Sequence, residues 1–120
     1  MDNKKVYVNC EIEITLDMIG GKCKPLILHI LIEQGVKRFS ELKKQINIIS
    51  QKTLTNQLKE LEYDGLVNRK VYAQVPPKVE YSISEKGKTL KPILDLMCEW
   101  GFQNKSENYI VLSPQCESEK

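Results

Sequence analysis

Apolar residues recur at helical spacing through most of the chain, most clearly between Ser50 and Gly65. Leu54, Leu58 and Leu61 stand at i, i+4 and i+7 and form one stripe. Ser50 can accept a hydrogen bond from an unpaired amide of the first turn, and Gly65 supplies a stop. The spacing therefore predicts a capped helix that runs into a strand at Val67. Opposite the stripe lie Lys52, Thr55, Asn56, Lys59 and Tyr63, with Gln51 and Thr53 toward the helix start. Lysines, amides and hydroxyls with few acids in the first turns suit a helix laid in a DNA major groove. An isolated helix with an ordinary solvated face looks much the same, so the flanking elements carry the argument.

Upstream, Phe39 to Ile46 reads as a short amphipathic helix with Phe39, Leu42 and Ile46 on one face. Only Asn47, Ile48 and Ile49 separate it from Ser50, and two helices joined this closely make a helix-turn-helix. In that motif the second helix enters the groove and the first crosses the phosphate backbone, where Lys43 and Lys44 can serve. Downstream, Val67 to Val75 and Val79 to Ile83 read as a hairpin. Val79, Tyr81 and Ile83 alternate with Glu80 and Ser82, and Pro76-Pro77 marks the tip beside Lys78. A hairpin against a recognition helix is a wing, and its basic tip can reach a phosphate or the minor groove. The same hairpin also closes a small core.

Toward the N-terminus, Ile14 to Ile19 is a short helical segment and Gly20-Gly21 the join to a helix from Pro25 to Gln34. Its core face is Ile27, Ile30 and Leu31, and Gly35 ends it. Ser84 should cap a long helix from Glu85 to Trp100, kinked at Pro92. Leu90, Ile93, Leu94, Met97 and Trp100 give that helix a wide apolar face, more than one small core can use, and this points to dimerisation. Packing within the same chain is the alternative. The expected architecture is α+β, mainly α: a winged helix-turn-helix with an extra long C-terminal dimerisation helix. Residues 1–103 form one domain and 104–120 a poorly structured tail, in which Tyr109 to Leu112 is an apolar island.

Composition narrows the function. The chain has 120 residues, 41% hydrophobic and 28% charged, enough for one globular domain. The longest apolar run, Pro25 to Ile32, is too short to span a bilayer, and no apolar signal core follows Met1. A cytoplasmic protein without membrane contact is expected. Net charge is only +2, but residues 37–78 hold nine bases against four acids, while the rest carries a net −3. Positive charge thus gathers where the helix-turn-helix and wing lie, as phosphate binding requires. Only Arg38 and Arg69 are arginines, so Gln51, Asn56 and the threonines must carry much of any base readout.

Catalysis is not expected. The chain has no glycine-rich phosphate loop, no nucleophile elbow and no base partner for a nucleophilic cysteine. Cys10, Cys23, Cys98 and Cys116 lack Cys-x-x-Cys spacing, and His29 is the single histidine, so neither a metal nor another cofactor is expected. In the cytosol the thiols should be reduced.

Taken in order, Cys10, Glu13, Thr15-Leu16-Asp17, Ile19-Gly20-Gly21-Lys22, Leu26-Ile27-Leu28, Arg38-Phe39-Ser40-Glu41-Leu42, Ile49 to Thr55, Leu58-Lys59-Glu60-Leu61, Asp64-Gly65-Leu66-Val67, Val75 to Tyr81 and Gly87 resemble the HxlR-type family of bacterial winged helix-turn-helix regulators. The likeness runs from Cys10 to about Trp100. It implies a homodimeric transcription factor, repressor or activator, that binds double-stranded DNA at an inverted repeat and pairs through its first and last helices. A small-molecule effector is compatible with this but not identified. The residues expected to meet DNA are Arg38, Lys43, Lys44, Ser50, Gln51, Lys52, Thr55, Asn56, Lys59, Arg69 and Lys78. A winged-helix module that binds protein instead of DNA is the alternative.

The resemblance also makes Cys10 a candidate redox sensor, because some members sense oxidants through the matching cysteine. Two departures bear on it. Glu11 stands where the family usually has proline, and Cys23 where it usually has tryptophan. Glu11 and Glu13 disfavour a thiolate at Cys10, whereas a helix N-terminus favours one. A reduced structural cysteine is the other reading. If Cys10 is oxidised, Cys98 of the second subunit is the first partner expected and Cys116 the second.

Overall fold

The computed structural model describes residues 4–116. In chain order its elements are α1 (Glu11–Ile19), α2 (Lys24–Gln34), α3 (Phe39–Gln45), α4 (Gln51–Tyr63), β1 (Val67–Tyr72), β2 (Lys78–Ile83), α5 (Glu85–Lys88) and α6 (Lys91–Asn104). This is the expected winged helix-turn-helix: α3 and α4 flank a short turn, and β1 and β2 form an antiparallel hairpin with Val67 opposite Ile83 and Tyr72 opposite Lys78. The strand expected to reach Val75 stops at Tyr72, leaving residues 73–77 as the tip. Lys37 adds an isolated bridge on the other edge of β2, exchanging backbone hydrogen bonds with Tyr81 at 3.0 and 2.8 Å.

The core gathers around α2. Ile27, Leu28, Ile30 and Leu31 are all buried, together with Leu42 and Ile46 below α3, the α4 stripe Leu54, Leu58 and Leu61, and Leu66, Val67 and Leu94. The sequence pattern assigned α2 a single core face. Instead the helix is enclosed by α4, α6 and β2, so Leu28 is buried as well. α1 begins at Glu11, three residues earlier than the apolar pattern indicated, because Glu11 and Glu13 populate a solvated first turn.

The long C-terminal helix is not continuous. α5 is a single turn capped by Ser84, whose hydroxyl accepts from Gly87 N at 2.9 Å. Thr89 N and Leu90 N then bond back three residues, to Lys86 and Gly87 carbonyls, and so end the turn. Pro92 has no N–H to extend a ladder from α5, and it sits in the first turn of α6, where none is needed. It therefore opens a helix instead of kinking one, and that helix runs through Gly101 to Asn104, beyond the expected end at Trp100. Gly87 is buried against the wing. A Cβ there would strike the Leu66 carbonyl oxygen and the Ile83 side chain, so only glycine allows this approach.

Candidate nucleic-acid interface

α4 is held at both ends. Ser50 Oγ accepts from Thr53 N at 3.1 Å and donates to Thr53 Oγ1 at 3.0 Å, so the expected cap forms. At the other end Gly65 takes φ +77°, Leu66 N reaches Leu61 O at 2.9 Å and Gly65 N reaches Glu62 O at 3.0 Å. This is a Schellman close, and it turns the chain directly from the recognition helix into β1.

With the leucine stripe buried, α4 turns Gln51, Lys52, Asn56 and Lys59 outward, while Thr55 is half-buried. Ser50 belongs to the same surface, but its hydroxyl is engaged in the cap in both directions. Lys44 and Arg38 are exposed and Lys43 half-buried on the first helix of the motif. Arg38 sits at the start of α3, where its backbone N donates to Glu41 Oε1 at 2.8 Å. On the wing, Arg69 is exposed on β1. Lys78 is not a bare cation at the tip. It lies 3.4 Å from the Glu80 carboxylate and 4.6 Å from the centre of the Tyr72 ring, and Lys70 meets the same ring at 4.9 Å. Tyr72 OH in turn donates to Glu80 Oε1 at 2.9 Å. That hydrogen bond is the largest cause holding the Glu80 carboxyl below the usual range; burial opposes it, and the bond from Lys78 adds a smaller downward effect. Tyr72 is thus the organiser of the wing, and nothing in the strand alternation singled it out.

Two further residues position α4 and were not foreseen. Lys24 is 4% exposed, and its ammonium meets Glu60 Oε1 on α4 at 2.6 Å. Gln57, beside the stripe, accepts from Cys23 N at 3.4 Å and fills the space next to Gly21, where a Cβ would collide with its amide. The Gly20-Gly21 join therefore serves close approach of α4. A lone amide next to an apolar stripe is the only sequence signal for it.

The face assigned to dimerisation divides. Leu94 is buried in the chain's own core and so is not presented to a partner as expected, while Leu90 is half-buried against that core. Ile93, Met97 and Trp100 stay exposed, Trp100 at 69%, and Leu96 joins them. Ile12 and Leu16 of α1 are exposed as well, and line a cleft of about 340 Å³ with Ile93 and Met97.

The cysteines separate by environment. Cys23 is 2% exposed, and burial pushes its thiol up to about 11 despite the neighbouring Lys24. It fills core volume and stays protonated. Cys10 is exposed at the start of α1. Cys98 on α6 and Cys116 lie side by side, with Cα atoms 5.8 Å apart, a spacing that a disulfide can span. His29, Glu33 and Asp95 converge to within 4.8 Å, a grouping the sequence did not suggest. Lys91 Nζ bridges the two carboxylates at 2.7 and 3.0 Å, so an ammonium already accounts for their approach. Its own proton is held more tightly as a result, chiefly by the bond to Glu33.

Comparison with known proteins agrees with this geometry. The model of the HxlR-like helix-turn-helix family matches residues 18–109. An uncharacterised HTH-type transcriptional regulator of Halalkalibacterium halodurans is 59% identical over 92 residues, covering 77% of this chain and 81% of that protein. The HTH-type regulator YybR of Bacillus subtilis is 50% identical over 107 residues, covering 87% and 85%. Among solved structures, the oxidised form of the redox regulator HypR superposes with a TM-score of 0.76 at 52% identity, over 81% of this chain and 99% of that one. Its reduced form gives 0.77 at 50% identity, over 83% and 100%. Recognition helix, wing and sequence therefore agree: this chain belongs to the HxlR-like helix-turn-helix family and is a DNA-binding transcriptional regulator.

Proposed function

We propose that the protein acts in the cytoplasm as a two-fold dimer on an inverted-repeat operator, with one α4 in the major groove of each half-site. The observation that carries this is the outward face of α4: Gln51, Lys52, Asn56 and Lys59 are presented by a helix pinned on its opposite side and at both ends. Gln51 and Asn56 read base edges, Lys52 and Lys59 hold phosphates, and Thr55 adds a hydroxyl at the groove wall. Arg38, Lys43 and Lys44 take the backbone on one flank, Arg69 and Lys78 on the other. Lys78 does so by exchanging Glu80 for a phosphate.

Pairing uses Ile93, Leu96, Met97 and Trp100 of α6 with Ile12 and Leu16 of α1, all exposed, four of which (Ile12, Leu16, Ile93 and Met97) line one cleft. It sets the two recognition helices about 34 Å apart, one turn of DNA. A thiol response at Cys10 is supported by its exposure at the start of α1, beside this surface, and by the likeness to a redox regulator.

The test is sequencing of the duplex fragments retained by the pure protein, with affinity for the recovered site measured against salt. An inverted repeat and a steep linear fall of log affinity with log salt are expected. No enriched site and a flat salt response would instead favour a protein-binding winged helix.

A further inference from the structure

The hairpin from Val67 to Ile83 carries Arg69, Lys70 and Lys78 and one acid, Glu80. A carboxylate on a basic wing repels the phosphates that the wing meets. In the strand register Lys70 stands opposite Glu80 and Tyr72 opposite Lys78. Residues two apart share a face, so these four side chains form one patch, turned away from Val67, Tyr81 and Ile83, which pack into the core. Each carboxylate oxygen of Glu80 has its own partner there. Oε1 accepts from Tyr72 OH at 2.9 Å, and Oε2 lies 3.4 Å from Lys78 Nζ. The centre of the Tyr72 ring is 4.6 Å from the same ammonium and 4.9 Å from that of Lys70. After the Tyr72 hydrogen bond, which holds the carboxyl low most strongly, the charge of Arg38 at the start of α3 adds a smaller pull. The patch is still open to a ligand: the Lys78 and Glu80 side chains are 29% and 25% exposed.

We propose that Glu80 is a specificity-determining residue for DNA, which keeps Lys78 from the phosphates of any duplex on which the wing is not seated. This rests on the reading of α4 and the wing given above. Away from its operator, a DNA-binding protein is held on any sequence by its cations, and each unpaired lysine adds to that affinity. Lys78 is paired. To meet a phosphate it must leave Glu80, and the carboxylate must then stand near the same anion. In a loose complex nothing offsets that exchange, and the pair stays closed. With α4 fully in the groove the wing is pressed onto the backbone, a phosphate comes within contact distance, and Lys78 changes partner. Tyr72 holds both sides in place, through its hydroxyl on Oε1 and its ring beside the ammonium. Glu80 thus weakens binding to all DNA, but least to the operator, and specificity is that difference.

The experiment measures affinity against salt for a random-sequence duplex and for the inverted repeat recovered by selection, with the full chain, Glu80→Gln, Lys78→Gln and the double variant. Glutamine keeps the acceptor for Tyr72 and loses the charge. Glu80→Gln should bind the random duplex about fivefold tighter, with a salt slope steeper by about one unit. On the inverted repeat, where Lys78 is already engaged, its slope should match wild type. Lys78→Gln should lose about one unit of slope on the inverted repeat and much less on the random duplex. In the double variant the gain from Glu80→Gln should vanish, because no lysine is left to release. A gain that survives there is bulk charge and overturns the proposal, as does an equal gain on both duplexes or no gain at all. The random-duplex measurements need no operator, so they decide the role of Glu80 even where selection enriches no site. An enriched inverted repeat with Glu80→Gln indistinguishable from wild type refutes this role and leaves the operator reading standing.

Discussion

The ion pair between Lys24 and Glu60 should be strongly asymmetric to mutation. Lys24 is 4% exposed, whereas the Glu60 side chain is 57% exposed, and the contact is 2.6 Å. Unit charges about 4 Å apart attract by about 4 kcal/mol at an effective dielectric of 20 and about 1 kcal/mol in water. With one end in the core and the other at the surface, the pair falls between these limits. Glu60→Ala leaves a buried ammonium without its carboxylate, and should cost about 2 kcal/mol, mostly from that uncompensated charge. Lys24→Met keeps the volume, removes the buried charge and frees Glu60 to water, so it should be near neutral. Urea unfolding at fixed protein concentration reads this directly: the midpoint of Glu60→Ala should drop by about 1 M at an m-value of about 2 kcal/mol/M, while Lys24→Met stays close to wild type. A loss in Lys24→Met as large as in Glu60→Ala would refute the reasoning, since the pair would then contribute net stability of its own.

Asn56→Ala should relax base preference at one operator position by about 1–3 kcal/mol, seen as a flattened base in selection experiments. Lys59→Ala should weaken all sequences alike and lower the salt slope by about one unit. On α6, Trp100→Ala should raise the dimer dissociation constant in sedimentation without moving monomer stability, whereas Leu94→Ala should cost about 2–5 kcal/mol of stability through its cavity. The Glu80 carboxyl titrates lower in the folded chain, so its contribution to wing stability is present above the unfolded value near 4.3 and is lost as pH falls through the folded one. Nuclear magnetic resonance shifts of Tyr72 should report that loosening, and Glu80→Gln should abolish its pH dependence.

The local elements were legible because each carries a short-range signal: Ser50 and Gly65 bracket α4, leucines at helical spacing mark its inner face, and alternation marks β2. What stayed hidden depends on contacts between distant segments. Leu28 lies off the face of Ile27, Ile30 and Leu31 and is buried because three elements enclose α2. Lys24 precedes Pro25 with no sequence signal of burial, and it is buried where it meets Glu60, far along the chain. The break at Thr89-Leu90 was misread because the apolar pattern continues across it, and only the backbone shows that Pro92 starts a helix. Leu94 and Trp100 share one apolar helix, yet only their burial separates the core residue from the exposed one. At the interface, the exposed polar face of α4 follows from the leucine stripe, but the Tyr72–Glu80–Lys78 cluster depends on pairing across the hairpin.

The bridge from Lys37 to Tyr81 bears on which assemblies the protein can form. A two-stranded wing has two outer edges, each offering unpaired amides and carbonyls to any other strand. Lys37 occupies part of the β2 edge from within the chain. The β1 edge is left open, but it carries Arg69 and Lys70, whose charges repel an identical edge. Two copies approaching wing to wing thus find one edge partly taken and the other electrostatically hostile. Wing-to-wing pairing is thereby disfavoured, which leaves the wings available for DNA.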